Sequence, residues 1–406
     1  MWYLFLIHPF SAILIALSDL RRKHANNILW MFTAFLGLTW AMRAESTADS
    51  VRYMEKVTTL HHSTQSFLAY YTESGEIDFF SIALTYLVAS FTDKGYVLMV
   101  LQGLVFGFFF SRNMTFVFQQ MKGKLKPISI IMFLTFFVVV PIWNFNGFRF
   151  WTATHVFLYG LLPYFFERKK NSLIWCFITP FVFHYAFLVP VLILSLFLVF
   201  GNRIRLYFGF FIFSMFFAEF DLQQFNNLVE QYVPQQFQER SSSYRSEAGF
   251  ERAQEAREAG VFSGEKSWHA ILYRKALTWS MYAFVLYYFF RRNQLQLVHP
   301  RMIYILSFVL LFIAFANILS NLPSGGRYLS IVYLFALAFI TIYTQNSVAD
   351  RLSKRISWVT APLLLFFFVV SARQALYFFS VSTIISNPII SVFTIGDNIN
   401  LDALIK

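Results

Sequence analysis

Apolar residues in this chain come in long unbroken runs instead of the alternating ten-residue segments of an outer-membrane barrel, so the pattern predicts membrane-spanning helices. The runs place helices at about 2–18, 27–42, 95–111, 127–143, 151–166, 172–183, 185–200, 206–219, 269–290, 302–320, 328–344 and 356–377, about twelve in all. Two stretches need a decision. The run 79–92, FFSIALTYLVASFT, is too short for a full crossing and reads as a re-entrant or interfacial helix. The run 172–200 is apolar throughout, but Pro180, His184 and Pro190 interrupt it, and it is divided in two. The opening MWYLFLIHPFSAILIALSDLRRK lacks a basic leader and a small-residue cleavage site, and reads as a retained first helix.

The polar positions orient these helices. Basic clusters at 21–23, 121–126, 167–170, 202–205, 291–301 and 351–355 fall on one side of the layout, which with Arg112 holds 18 of the 33 basic residues and three of the 21 acids. The bias of Lys and Arg toward cytoplasmic loops makes that side cytoplasmic and puts both termini outside. Most of the net charge of +12 is then topology, and nucleic acid is not an expected partner. Two polar segments lie on the outer side: a first loop at 43–94, and a larger one at 219–268 whose EAGFERAQEAREAG suggests a partly helical lid.

Composition sharpens the class. With 57% apolar and only 13% charged residues, the chain has too little polar surface for a soluble protein of 406 residues, so it reads as a single integral membrane domain, all-α and polytopic. Its one cysteine, Cys176, lies inside an apolar run and reads as a small buried hydrophobe. No spacing of His, Cys and acids suggests a metal site, His61 and His62 being merely adjacent, and no phosphate-binding glycine loop suggests a nucleotide.

Against this background a few polar residues stand out. Arg149, in PIWNFNGFRFWTATHVFLYG, sits between two apolar helices, where burying a guanidinium costs about 2.5–3.5 kcal/mol and calls for a partner. Arg327, in SNLPSGGRYLSIVYLF, occupies a corresponding outer position. Each could simply snorkel to lipid headgroups. Two such cations, with Gly147 beside one and Gly325 and Gly326 beside the other, instead suggest a shared phosphate-like anion. Asp49 and Tyr53 would share one helical face, with Arg52 able to neutralise the acid, though Asp49 also reads as a helix cap. His184 is either a hydrogen-bonded core histidine or a base. Glu73, Glu76 and Asp78 are further candidate bases, for which a solvated surface is the ordinary reading.

Taken in order, these motifs resemble the EpsG family, the Wzy-like polymerases of bacterial exopolysaccharide, capsule and O-antigen: Asp49 four before Tyr53, Asn146-Gly147 before Arg149, Lys169-Lys170 before His184, and the Gly-Gly-Arg-Tyr ending at Tyr328. The likeness covers nearly the whole chain. It departs where family members read closer to N-G-I-R-Q, since Phe148 and Phe150 flank Arg149 here; the cation is kept and the glutamine is not.

The resemblance implies a GT-C-like fold in the bacterial inner membrane, with an active site facing the periplasm or exterior. The implied reaction joins polyprenyl-diphosphate-linked oligosaccharide repeat units, without cofactor or metal, releasing polyprenyl diphosphate. It would have Arg149 and Arg327 on the diphosphate, Asp49 or His184 as base, and Arg52, Tyr53, Asn146, Tyr328 and Arg245 as further substrate contacts. Partners would be the lipid-linked donor and acceptor, membrane lipids, a chain-length regulator and a flippase. A lipid-linked oligosaccharide flippase, a membrane acyltransferase using His184 and another polar partner, for which Asn317 and Asn321 lie too far along the chain to make a signature, and an O-antigen ligase remain alternatives.

Overall fold

A computed structural model describes residues 1–41, 49–75, 77–216, 231, 268–298, 301–322, 324–348, 351–395 and 398–405. The proposed lid at 219–268 and Arg245 therefore lie outside the described residues, apart from residue 231 and the final Trp268, as do Glu76 and the start of the first outer loop. The described chain is α-helical, with one isolated bridge pairing Ser380 and Asn400.

The apolar runs emerge as helices in the expected order. The first is broken at His8 into α1 (Trp2–Ile7) and α2 (Pro9–Ser18), followed by α3 (Ala25–Leu38). The first outer loop contributes α4 (Asp49–His61), α5 (Phe67–Ser74) and the apolar α6 (Phe79–Ala89). Next come α7 (Gly95–Gln120), α8 (Pro127–Val139), α9 (Phe148–Glu167), α10 (Leu173–Val182), α11 (Leu188–Phe200) and α12 (Ile204–Met215). After the undescribed stretch follow α13 (Trp268–Phe290), α14 (Arg292–Val298), α15 (Met302–Leu319), α16 (Gly326–Asn346) and α17 (Arg351–Arg373).

Among the described residues, five segments are long and apolar enough to cross a membrane: Gly95–Gln120, Pro127–Glu167, Met302–Leu319, Gly326–Asn346 and Arg351–Tyr377. The described chain is thus an all-α, multi-helix membrane protein with five candidate spans, one of which, Pro127–Glu167, holds both α8 and α9. Shorter apolar helices of 10–17 residues accompany them, and α13 has 23 residues. At 1.5 Å per residue α6 reaches only about 17 Å, short of a hydrocarbon core of about 30 Å. The division of 172–200 appears as a helix end at Val182, extended backbone at His184 and a 3-10 turn at Tyr185–Phe187.

The helices gather into two compact units, one of residues 1–125, 140–191 and 371–406, the other of 126–139 and 192–370. In the first, α3 and α7 are the most closely packed pair, because small residues meet backbone there. A Cβ on Gly103 would stand 2.5 Å from the Thr33 carbonyl oxygen, and one on Gly107, a turn later, 2.7 Å from Thr33 Cβ. This small-xxx-small seam lets the helix axes approach. Trp30 Nε1 donates across it to the Leu104 carbonyl at 2.7 Å. The C-terminal segment is tied to the same unit by Ser380 Oγ, which donates to the Thr39 carbonyl at 2.8 Å.

The second unit centres on α15 and α16, most of whose side chains are buried. Tyr282 donates to Asn317 Oδ1 at 2.7 Å, and Asn317 Nδ2 donates to Ser214 Oγ at 3.0 Å, linking α13, α15 and α12. Asn317, weighed above as an acyltransferase partner for His184, is occupied in this structural chain of hydrogen bonds. Lys126 finishes α16: its Nζ donates to the carbonyls of Thr344 (2.9 Å) and Ser347 (2.6 Å), which the helix itself leaves unpaired.

The glycine seam yields an opposite-signed pair of substitutions. Gly103→Val should push α3 from α7 and cost about 1–3 kcal/mol, read as earlier thermal unfolding of the detergent-solubilised protein. Gly209→Ala on α12, where a Cβ would meet nothing within 4 Å, should leave the melting temperature unchanged or raise it.

Candidate functional site

Helix α4 is amphipathic, and Tyr53, Val57 and Leu60 bury one of its faces against Leu84, Val88, Ala89, Leu98 and Phe148. This packing fixes the ring of Tyr53 with its hydroxyl at the edge of the cluster, where Arg149 Nε donates to it at 3.2 Å. Arg149 is the second residue of α9, delivered there by a 3-10 turn at Ile142–Gly147. Its Nη1 donates to Asp78 Oδ2, also at 3.2 Å. The partner that a lone guanidinium in an apolar run calls for is therefore Asp78.

Asp78 stands at the N-cap of α6, but its side chain makes no cap bond to that helix. Its carboxylate collects three donors from two other places in the chain. Oδ2 is shared by Arg149 Nη1 and His184 Nδ1, the latter at 2.9 Å, while Oδ1 accepts from the Tyr185 backbone N-H at 3.2 Å. The side chain has no solvent exposure, against 30% for Arg149 and 12% for His184. Burial by itself pushes the Asp78 carboxyl up; the His184 hydrogen bond and charge, the Arg149 charge and the Tyr185 N-H together outweigh it and hold the group below its ordinary 3.8.

His184 owes its position to the break between α10 and α11. Its extended backbone (φ −161°) turns the ring away from the helical path, and its N-H donates to the Thr179 carbonyl at 3.1 Å. The ring meets Phe150 edge-on, centroids 5.6 Å apart. An ionised Asp78 only accepts, so Nδ1 carries the hydrogen in their bond and Nε2 is the basic nitrogen of the neutral imidazole. Among the described residues nothing hydrogen-bonds to that Nε2. The arrangement can take up a proton at Nε2 and stabilise the resulting cation through Asp78.

Of the residues singled out in the sequence, the structure brings together Tyr53, Arg149 and His184 around Asp78. The solvated reading of Asp78 is corrected: it is fully buried. Asp49 begins α4, is 38% exposed and pairs with Arg52 on the next turn. Asn146 is half-buried in the turn leading to Arg149. Arg327, exposed, and Tyr328, half-buried, open α16 in the second unit. The neighbouring glycines have packing reasons of their own: a Cβ on Gly147 would stand 2.7 Å from the Trp151 ring, and one on Gly325 only 1.8 Å from the Leu319 carbonyl oxygen. Among the described residues no group of three His, Cys, Asp or Glu side chains is spaced to hold a metal.

The model of the EpsG family matches residues 26–393, and the chain belongs to that family of polysaccharide polymerase-related membrane proteins, with a role in exopolysaccharide biosynthesis. No curated protein and no solved structure matches it.

Because the pKa of Asp78 lies below 3.8 in the folded protein, its stabilising contribution is present above about pH 4 and is lost as pH falls further. Asp78→Asn should begin about 3–5 kcal/mol less stable at neutral pH, the cost of breaking a buried ion pair. Melting curves between pH 5 and 3 should then show a shallower decline for the variant than for the wild type.

Proposed function

We propose that this chain is the polymerase that joins polyprenyl-diphosphate-linked oligosaccharide repeat units at the outer face of the bacterial inner membrane, with His184 as general base. The observation that carries the reading is the buried Asp78 carboxylate bonded at once to His184 and Arg149. One acid there couples a base to a cation, the two groups that glycosyl transfer from a diphosphate requires.

In this reading an acceptor hydroxyl on one lipid-linked unit attacks the anomeric carbon of another. Its proton passes to His184 Nε2, the new glycosidic C–O bond forms, and the bond from the anomeric carbon to the diphosphate oxygen breaks. Polyprenyl diphosphate leaves. Asp78 holds the His184 tautomer and stabilises the imidazolium, as an orienting acid does for other catalytic histidines. Arg149, pinned by Asp78 and Tyr53, presents a preorganised guanidinium to the charge growing on the leaving oxygen. Arg327 remains a proposed diphosphate contact, carried by the family resemblance of its Gly-Gly-Arg-Tyr motif. Asn146, Tyr328, Arg52 and Arg245 remain proposed sugar or lipid contacts. Asp49 has the weaker claim as base, being exposed and paired with Arg52.

The test is purified protein with lipid-diphosphate-linked repeat units and EDTA, products separated by size. A ladder of lengths is expected from the wild type. His184→Ala should slow it about 10²–10⁴-fold, the usual worth of a general base. Arg149→Ala and Arg327→Ala should also abolish long products, whereas Asp49→Asn keeps them. In cells, single repeat units should still reach the outer face in these variants; units trapped inside would identify a flippase instead. A normal ladder from both arginine variants would remove the diphosphate assignment.

A further inference from the structure

Helix α9 carries Arg149 at one end and Glu167 at the other, about 27 Å away at 1.5 Å per residue. At that far end the first unit has a cleft of about 700 Å³, lined by the first turn of α3, the last turns of α7, the end of α9 and the start of α10. It is strongly cationic. Arg112, Arg168, Lys169 and Lys170 line it against a single acid, Glu167, which is already engaged by Lys169 Nζ at 2.7 Å and Gln120 Nε2 at 3.3 Å. Among the described residues no carboxylate pairs with Arg112, Arg168 or Lys170.

Two of these cations stand out, Arg112 for its contacts and Arg168 for its backbone. The Arg112 guanidinium lies over the rings of Phe108 and Trp30, 4.1 and 4.6 Å from their centroids. Nη1 donates to Ser111 Oγ at 2.9 Å and Nη2 to Asn27 Oδ1 at 3.2 Å, so three of its five N-H groups are uncommitted. Arg168 occupies the left-handed C-cap of α9 (φ 61°), where glycine or asparagine is the unstrained choice. Beside them, Asn26 Oδ1 and Thr115 Oγ1 are buried without a hydrogen-bond partner. Buried polar atoms of this kind are rare and ask for a ligand or water.

The ligand must therefore bring an anion for the guanidinium forks and a donor for the Asn26 oxygen. A phosphate carrying a hydroxyl-bearing group does both. Helix α10, whose Trp175 lines the cleft, also exposes Ile174, Phe177 and Phe181 at helical spacing, an apolar stripe that hydrocarbon can cover. We propose that this cleft binds the phosphate of a polyol headgroup, with Arg112, Arg168 and Lys170 on the phosphate and Asn26 and Thr115 on the hydroxyls. The site is separate from the Asp78 cluster and does not depend on the polymerase reading.

The experiment is native mass spectrometry of the full chain in detergent, titrated with phosphatidylglycerol and, as reference, phosphatidylcholine. Saturable retention of phosphatidylglycerol over phosphatidylcholine is expected. Arg168→Ala with Lys170→Ala should weaken it about tenfold or more, as loss of two near-surface cations implies. Lys170→Glu, a reversal at an exposed side chain, provides a second variant that does not disturb packing. Arg203→Ala with Arg205→Ala, in another basic cluster, should leave retention unchanged. If excess glycerol phosphate displaces the lipid and raises the melting temperature, the free phosphate is the occupant; if it does neither, the occupant is the lipid headgroup. Equal retention of the two lipids without a thermal response to glycerol phosphate, or unchanged affinity in both Lys170 variants, overturns the proposal.

Discussion

A carboxylate with no contact to solvent is costly unless several donors surround it, and Asp78 is where this chain meets that demand. The acid immediately precedes a short apolar helix that seats it against α4, α9 and the break after α10. Helix α4 contributes the Tyr53 hydroxyl to Arg149, α9 the Arg149 guanidinium, and the break both the His184 ring and the Tyr185 amide. Remove the carboxylate and a cation, a histidine and an unwound segment lose their common reason for being where they are. The irregular backbone at 183–187, unfavourable deep in hydrocarbon, is tolerated because its amide has a partner within the protein.

Much of the fold was legible because a helix that crosses a membrane must be apolar along its length, and its ends are marked by charge. The split of 172–200 was legible from Pro180 and Pro190, and the shortness of α6 from the length of its apolar run. The number of crossings is less legible, since apolar helices of 10–17 residues satisfy the same pattern as the five longer segments without their reach. The seam between α3 and α7 was not legible, because Gly103 and Gly107 stand four apart without any sign of which helix packs on them.

The site was legible in part. Arg149 and His184 announced themselves as ionisable residues in apolar surroundings, and Tyr53 as one face of a short amphipathic helix. Asp78 did not. It sits in a polar stretch with Glu73 and Glu76, and its partners lie 71 and 106 residues further along, a separation no local spacing can encode. Asp49 drew notice instead through its spacing to Tyr53, and that spacing is real, but its charge is answered locally by Arg52. The one clue to Asp78 was positional, an acid immediately before the apolar Phe79–Ala89.

The 106-residue interval between Asp78 and His184 has a consequence for biogenesis. A ribosome adding about 5–20 residues per second finishes the acid roughly 5–20 s before its histidine exists. Arg149 is made 71 residues after the acid and can neutralise it first, while the full set of donors waits for His184 and Tyr185. The first unit closes later still, since residues 371–406 belong to it.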